Sequence, residues 1–130
     1  IGCQKSPSSP EDTVKVALDS FIKGDYDNAL SYFIDQNGNP LPDEFKSQFR
    51  DSMQQRPMGS YKIQGTAALD QNMPEYSFAS NSIFKEGKVV SFVITSKDKQ
   101  QTEEEKAVLV QHKGSWRILM PVTQQPTQSP

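Results

Sequence analysis

A chain of 130 residues fits one domain of ordinary size and leaves little room for a second. Fourteen Lys and Arg against sixteen Asp and Glu give a net charge of -2, with the basic residues scattered from Lys5 to Arg117. That pattern lacks the basic stripe a nucleic-acid partner needs, and no apolar run approaches the roughly 20 residues of a bilayer-spanning helix.

The only cysteine is Cys3, behind Ile1 and Gly2 and ahead of the polar stretch Gln4-Lys5-Ser6-Pro7-Ser8-Ser9. Such a stretch buries too little apolar surface to fold, so residues 1–9 are expected to act as a flexible tether. With one Cys no internal disulfide can form, and stability must come from packing. The first residue is Ile rather than Met, so either a leader has been removed before it or the sequence is a piece cut from a longer chain. The Gly2-Cys3 junction resembles that of a bacterial lipoprotein, whose cysteine is cleaved to become the N-terminus and is then lipidated. The resemblance implies a membrane partner through lipidated Cys3 and an address in the bacterial cell envelope. Gln4 after the cysteine implies the outer membrane, facing the periplasm or the exterior.

Ser9-Pro10-Glu11-Asp12 supplies an N-cap, a first-turn proline and first-turn acids, and Val14, Ala17, Leu18, Phe21 and Ile22 recur at helical spacing. Lys23 and Gly24 end this helix. Asp25 caps a second, with Tyr26, Ala29, Leu30 and Phe33 as its apolar face. Asn37-Gly38-Asn39-Pro40 breaks the chain. A third helix opens at Pro42-Asp43-Glu44, aligns Leu41, Phe45, Phe49 and Met53, and stops before Pro57.

After Gly59 the period becomes two. Five strands are expected: one through Tyr61, Ile63 and Leu69, one through Tyr76, Phe78 and Phe84, then Lys88 to Thr95, Ala107 to Lys113, and Ser115 to Val122. Gly in Lys85-Glu86-Gly87 and Lys113-Gly114 predicts hairpins and a mainly antiparallel sheet. The polar segment from Ser96 to Glu105 reads as a long exposed hairpin loop. Residues 123–130 contain no apolar side chain and are expected to be disordered, leaving one domain over 10–122. Helices first and strands afterwards define an α+β class, with the helices against one face of the sheet.

The helix ending in Phe21-Ile22-Lys23-Gly24-Asp25-Tyr26 and running into a second helix resembles the cone-shaped fold shared by nuclear transport factor two, ketosteroid isomerase and scytalone dehydratase, which implies helices packed on the concave face of a curved, mainly antiparallel sheet. The hairpin Lys106 to Ile118 is similar to the closing hairpin of small bacterial lipoproteins with this cone, or cystatin-like, architecture. Gln111 and His112 stand where those proteins carry charged residues.

A two-residue turn at Lys113-Gly114 places Gln111 beside Trp116, Leu109 beside Ile118 and Ala107 beside Met120 on the helix-facing side. Val108, Val110, His112, Arg117 and Leu119 then share the other side. In the superfamily that convex side is often a dimer interface, which implies a homodimer through these five residues.

Catalytic constellations are hard to find. No acid lies at a strand centre, so an inward carboxyl pair like that of ketosteroid isomerase is missing. His112, the only histidine, sits beside a turn on the convex side. No metal is expected, since one Cys and one His cannot build a zinc centre and Asp25-x-Asp27 reads as cap plus first-turn acid. Glu103-Glu104-Glu105 reads as a solvated charge run. No phosphate loop or nucleophile elbow is present, and no cofactor is called for. Tyr32, Tyr61, Tyr76, Gln111 and Trp116 combine apolar bodies with polar tips and are the expected lining of a small-molecule pocket. The leading expectation is a non-catalytic, lipid-anchored envelope protein that binds a small ligand or another envelope protein. An isomerase- or dehydratase-like enzyme using a Tyr-lined pocket, and a structural dimerisation module, are the alternatives.

Overall fold

The computed structural model describes residues 9–120, apart from the Phe78 side chain. Cys3, the tether before Ser9 and the tail after Met120 lie outside the described residues.

Helix α1 spans Pro10–Lys23. The Ser9 hydroxyl accepts the Asp12 N–H at 3.1 Å, and Gly24, with φ of 84°, closes the helix by donating its N–H to the Phe21 carbonyl. Only a residue without a Cβ takes that left-handed cap at no cost. Val14, Ala17, Leu18 and Phe21 are buried as expected, whereas Ile22 is 37% exposed. It falls at the edge of the stripe, where α1 has turned away from the sheet.

Helix α2 (Tyr26–Leu30) starts on the Asp25 cap and stops early. Phe33, expected on its apolar face, instead forms strand β1 with Ile34. The i+3/i+4 spacing is locally sound, but the Tyr32 and Ile34 carbonyls accept the Ile118 and Met120 N–H groups at 2.8 and 2.9 Å. Those long-range bonds outweigh one more turn of a short helix. Asp35 then folds the Asn37-Gly38 break by accepting the N–H groups of Asn37 and Asn39. Helix α3 (Asp43–Gln55) follows, as expected, and ends before Pro57.

The sheet is built from β1, β2 (Met58–Ala68), β3 (Lys88–Ser96), β4 (Thr102–His112) and β5 (Ser115–Leu119), in the order β1-β5-β4-β3-β2. All neighbours are antiparallel except β1 with β5. The number five agrees with expectation through two differences that offset each other. No strand forms between Tyr76 and Phe84, where a short helix α4 (Tyr76–Ser80) stands instead, and the fifth strand is β1. Gly87 is therefore no hairpin glycine: a Cβ there would lie 2.6 Å from the Leu109 carbonyl oxygen, so its role is close approach to β4.

The β3–β4 hairpin also differs. β3 runs to Ser96 and β4 begins at Thr102, leaving only residues 97–101 as the loop and placing Glu103, Glu104 and Glu105 opposite Ile94, Val93 and Phe92. Ladder bonds are made by the backbone, so a polar stretch extends a hairpin wherever the sheet reaches past the core. The closing hairpin matches its expected register. Lys113 and Gly114 both take positive φ, Gln111 pairs with Trp116, and Leu109 with Ile118.

One buried cluster joins α1 and α2 to the concave side of the sheet through Val14, Leu18, Phe21, Leu30, Val90, Phe92, Leu109 and Ile118. Phe21 lies at its centre, stacked on Phe49 of α3 at 5.5 Å and edge-on to Phe33 at 6.1 Å. A second cluster, Ile34, Val108, Val110 and Leu119, lies on the other side of the sheet beneath Leu69 and Phe84. The Leu69 N–H bonds the Gly87 carbonyl and closes the ends of the 69–87 segment on each other, and the Ile83 N–H ties it to the Gln36 carbonyl, both at 3.0 Å.

Candidate functional site

The concave side is occupied by the chain's own residues. Tyr61, on β2, donates its hydroxyl to Asp19 of α1 at 2.9 Å, and Thr66 donates to Glu11 at 2.6 Å. These two bonds hold α1 along β2. Burial, followed by the Asp19 carboxylate, pushes the Tyr61 phenol up to about 12. A phenol held that far from neutrality is a poor proton donor in ordinary buffer.

The five expected pocket residues divide among several places. Tyr32 precedes β1 and lies under the Arg117 guanidinium, 6.0 Å from its ring centroid. Tyr61 is tied to α1, and Tyr76 opens α4. Gln111 and Trp116 do come together, as cross-strand partners on β4 and β5. They form part of a surface depression of about 610 Å³ with Ala68, Leu69, Ile83, Phe84 and the residues 85–88. Ile83, 57% exposed, stands at its wall. This depression lies where β2 ends, β3 begins and the β4–β5 hairpin closes. Its missed members are Ala68, Leu69 and residues 83–88, and the signal of the latter was weak: a lone Ile-Phe pair before a charged Gly-containing turn reads equally well as a strand end.

A second depression, of about 500 Å³, is lined by Gln64, Pro74, Glu75, Ser91 and Glu104 to Lys106. Glu75 Oε1 there is buried and lacks a hydrogen-bond partner. An oxygen sealed from water is equally closed to a ligand, so the Trp116 depression is the better candidate.

The five residues of the expected dimer face share a side, as the register requires. Val108, Val110 and Leu119 are nevertheless only 1, 0 and 3% exposed in a single chain, because Leu69 and Phe84 cover them. His112 is half-buried, edge-on to Phe84 at 5.6 Å, with Gly38 on its other side. The apolar pattern that resembled an interface is the floor of an internal layer, and the cover was hidden in a stretch that reads as a strand.

The acidic run yields no metal cluster among the described residues. Desolvation, then the Glu103 carboxylate, raises the Glu105 pKa, while the Ser96 hydroxyl and the Gln100 N–H lower that of Asp98.

No family model matches the sequence, and neither does any curated protein. Among solved structures the chain is similar to a crystal structure described as "Putative NTF2-like transpeptidase" from Campylobacter jejuni. The TM-score is 0.51 at 16% identity, covering 87% of this chain and 99% of that one. Together with the helices laid on a curved, mostly antiparallel sheet, this likeness shows a nuclear-transport-factor-two-like fold. The fold is compatible with ligand binding and with an enzyme-like pocket, and by itself selects neither.

Proposed function

We propose that the chain is a non-catalytic binding module, held in the cell envelope through a lipidated Cys3, and that it takes its ligand at the Trp116 depression. The observation that carries this reading is the meeting of Trp116 and Gln111 with exposed Ile83 in one concavity, while the concave side under α1 is filled by Val14, Leu18 and Phe21. The separation of the three tyrosines supports binding over proton-transfer chemistry. The Gly2-Cys3 junction supports the anchor.

Trp116 is the only tryptophan, so its fluorescence reports on this site alone. Titration with the neutral dye N-phenylnaphthylamine should quench Trp116 and saturate. Ile83→Asp should weaken that binding at least several-fold without unfolding the chain, since Ile83 is exposed. Quenching that never saturates, or that ignores Ile83→Asp, would reject the site. Intact mass spectrometry of the protein extracted from membranes should show acyl chains on Cys3, and an unmodified mass would remove the anchor.

A further inference from the structure

The rim of the Trp116 depression carries a charge pattern opposite to that of the molecule. The chain has a net charge of -2, yet the depression is bordered by Lys85 and Lys88 against the single acid Glu86. All three are exposed, and among the described residues neither lysine is in an ion pair. Its apolar lining is Trp116, Leu69, Phe84, Ala68 and Ile83, and Gln111 is exposed, its amide bonded to no side chain or backbone group among the described residues.

Two unpaired ammonium groups beside an apolar floor complement a molecule with the reverse arrangement. Resting on the proposed binding role of this depression, we infer that its ligand is a free anionic amphiphile. An aromatic or acyl body would lie against Trp116 and Ile83, and a carboxylate, sulfonate or phosphate would face Lys85 and Lys88. An exposed lysine contributes little to folding but adds to affinity when an anion is held nearby, and screening by salt weakens that contribution. Glu86 opposes the anion.

The test uses two dyes that differ by one charged group, anilinonaphthalene sulfonate and the neutral N-phenylnaphthylamine. The sulfonate should bind more tightly than the neutral dye at low salt, and the preference should shrink as salt is raised. Lys85→Gln combined with Lys88→Gln should weaken sulfonate binding by about three- to tenfold and leave the neutral dye unchanged. Glu86→Gln should strengthen the sulfonate alone, and Lys62→Gln, outside the depression, should affect neither. Saturable binding of both dyes with equal affinity overturns the anion preference while the binding site stands. Saturation by neither overturns the site itself. Sedimentation of the unlipidated chain with phosphatidylglycerol vesicles, abolished in the double lysine variant and without saturable dye binding, would assign the lysines to a membrane surface and also overturn the inference.

Discussion

At the scale of single residues, two titrating groups report on how the sheet meets its surroundings. The Tyr61 phenol is shielded by α1 and bonded to Asp19, so its proton leaves near pH 12 in place of 10.0. Alkaline titration followed by tyrosinate absorbance should contain a late component that disappears in Tyr61→Phe. Because the folded state holds this proton more tightly than the unfolded chain, wild-type stability declines as pH rises from 10.0 towards 12, and the variant should lack that decline. At neutral pH the lost bond costs less than about 1 kcal/mol, since both partners meet solvent.

Glu105 behaves in the acidic range. Its folded pKa lies above the ordinary 4.5, so the folded state binds more protons just above that value and gains stability as pH falls through the folded pKa. Asp98 has the opposite sign: its lowered pKa contributes stability above 3.8 that is lost as pH falls below it. Glu105→Gln should therefore raise Tm at neutral pH by about 1–2 °C and flatten the gain on mild acidification, as thermal melts across that range would show. The identity of both residues was legible in the chain. Their environments were not, because a Glu run has no intrinsic preference between a loop and the end of a strand.

Of the two long helices, α3 is attached less firmly than α1. It has no fully buried residue and is joined to the core through the half-buried Phe45, Phe49 and Met53, whereas α1 buries six residues. Native-state hydrogen exchange should show α3 amides opening well below the global unfolding free energy while α1 and β4 amides require most of it. Phe49→Ala removes the 5.5 Å stack on Phe21 and should lower α3 protection further, at a global cost of about 1–2 kcal/mol. Equal protection of α1 and α3 would contradict this. Element by element, α1, α3 and the closing hairpin could be read from the chain because each carries its own instructions: a cap and proline, a helical stripe, a two-residue turn of positive φ. β1 and α4 carry none. Phe33 and Ile34 become a strand only because β5 offers a parallel partner 85 positions along at Ile118 and Leu119.

For the molecule as a whole, the decisive feature is the layer that the 69–87 segment forms over the outer side of the sheet. It turns Val108, Val110 and Leu119 from an apolar surface into a second core. Val110→Asp would then place a carboxylate where no solvent reaches. Denaturant unfolding should report a loss of at least about 3 kcal/mol, and light scattering should show that the loss does not depend on protein concentration. A stable, merely dissociated variant would return this face to the role of an interface.

The chain by itself determined the α+β class, the two flanking helices, the closing hairpin and which side chains share each side of β4 and β5. These follow from local periodicity, caps and turn residues, whose physics is complete within about ten positions. Only the tertiary structure decided that Phe33 leaves its helix, that the stretch around Tyr76 is a cover and not a strand, and that Gln111 and Trp116 meet Ile83 while the tyrosines stay apart. Each of those outcomes depends on hydrogen bonds or contacts between positions far apart in the chain, and a local pattern has no means of expressing the competition that such contacts win.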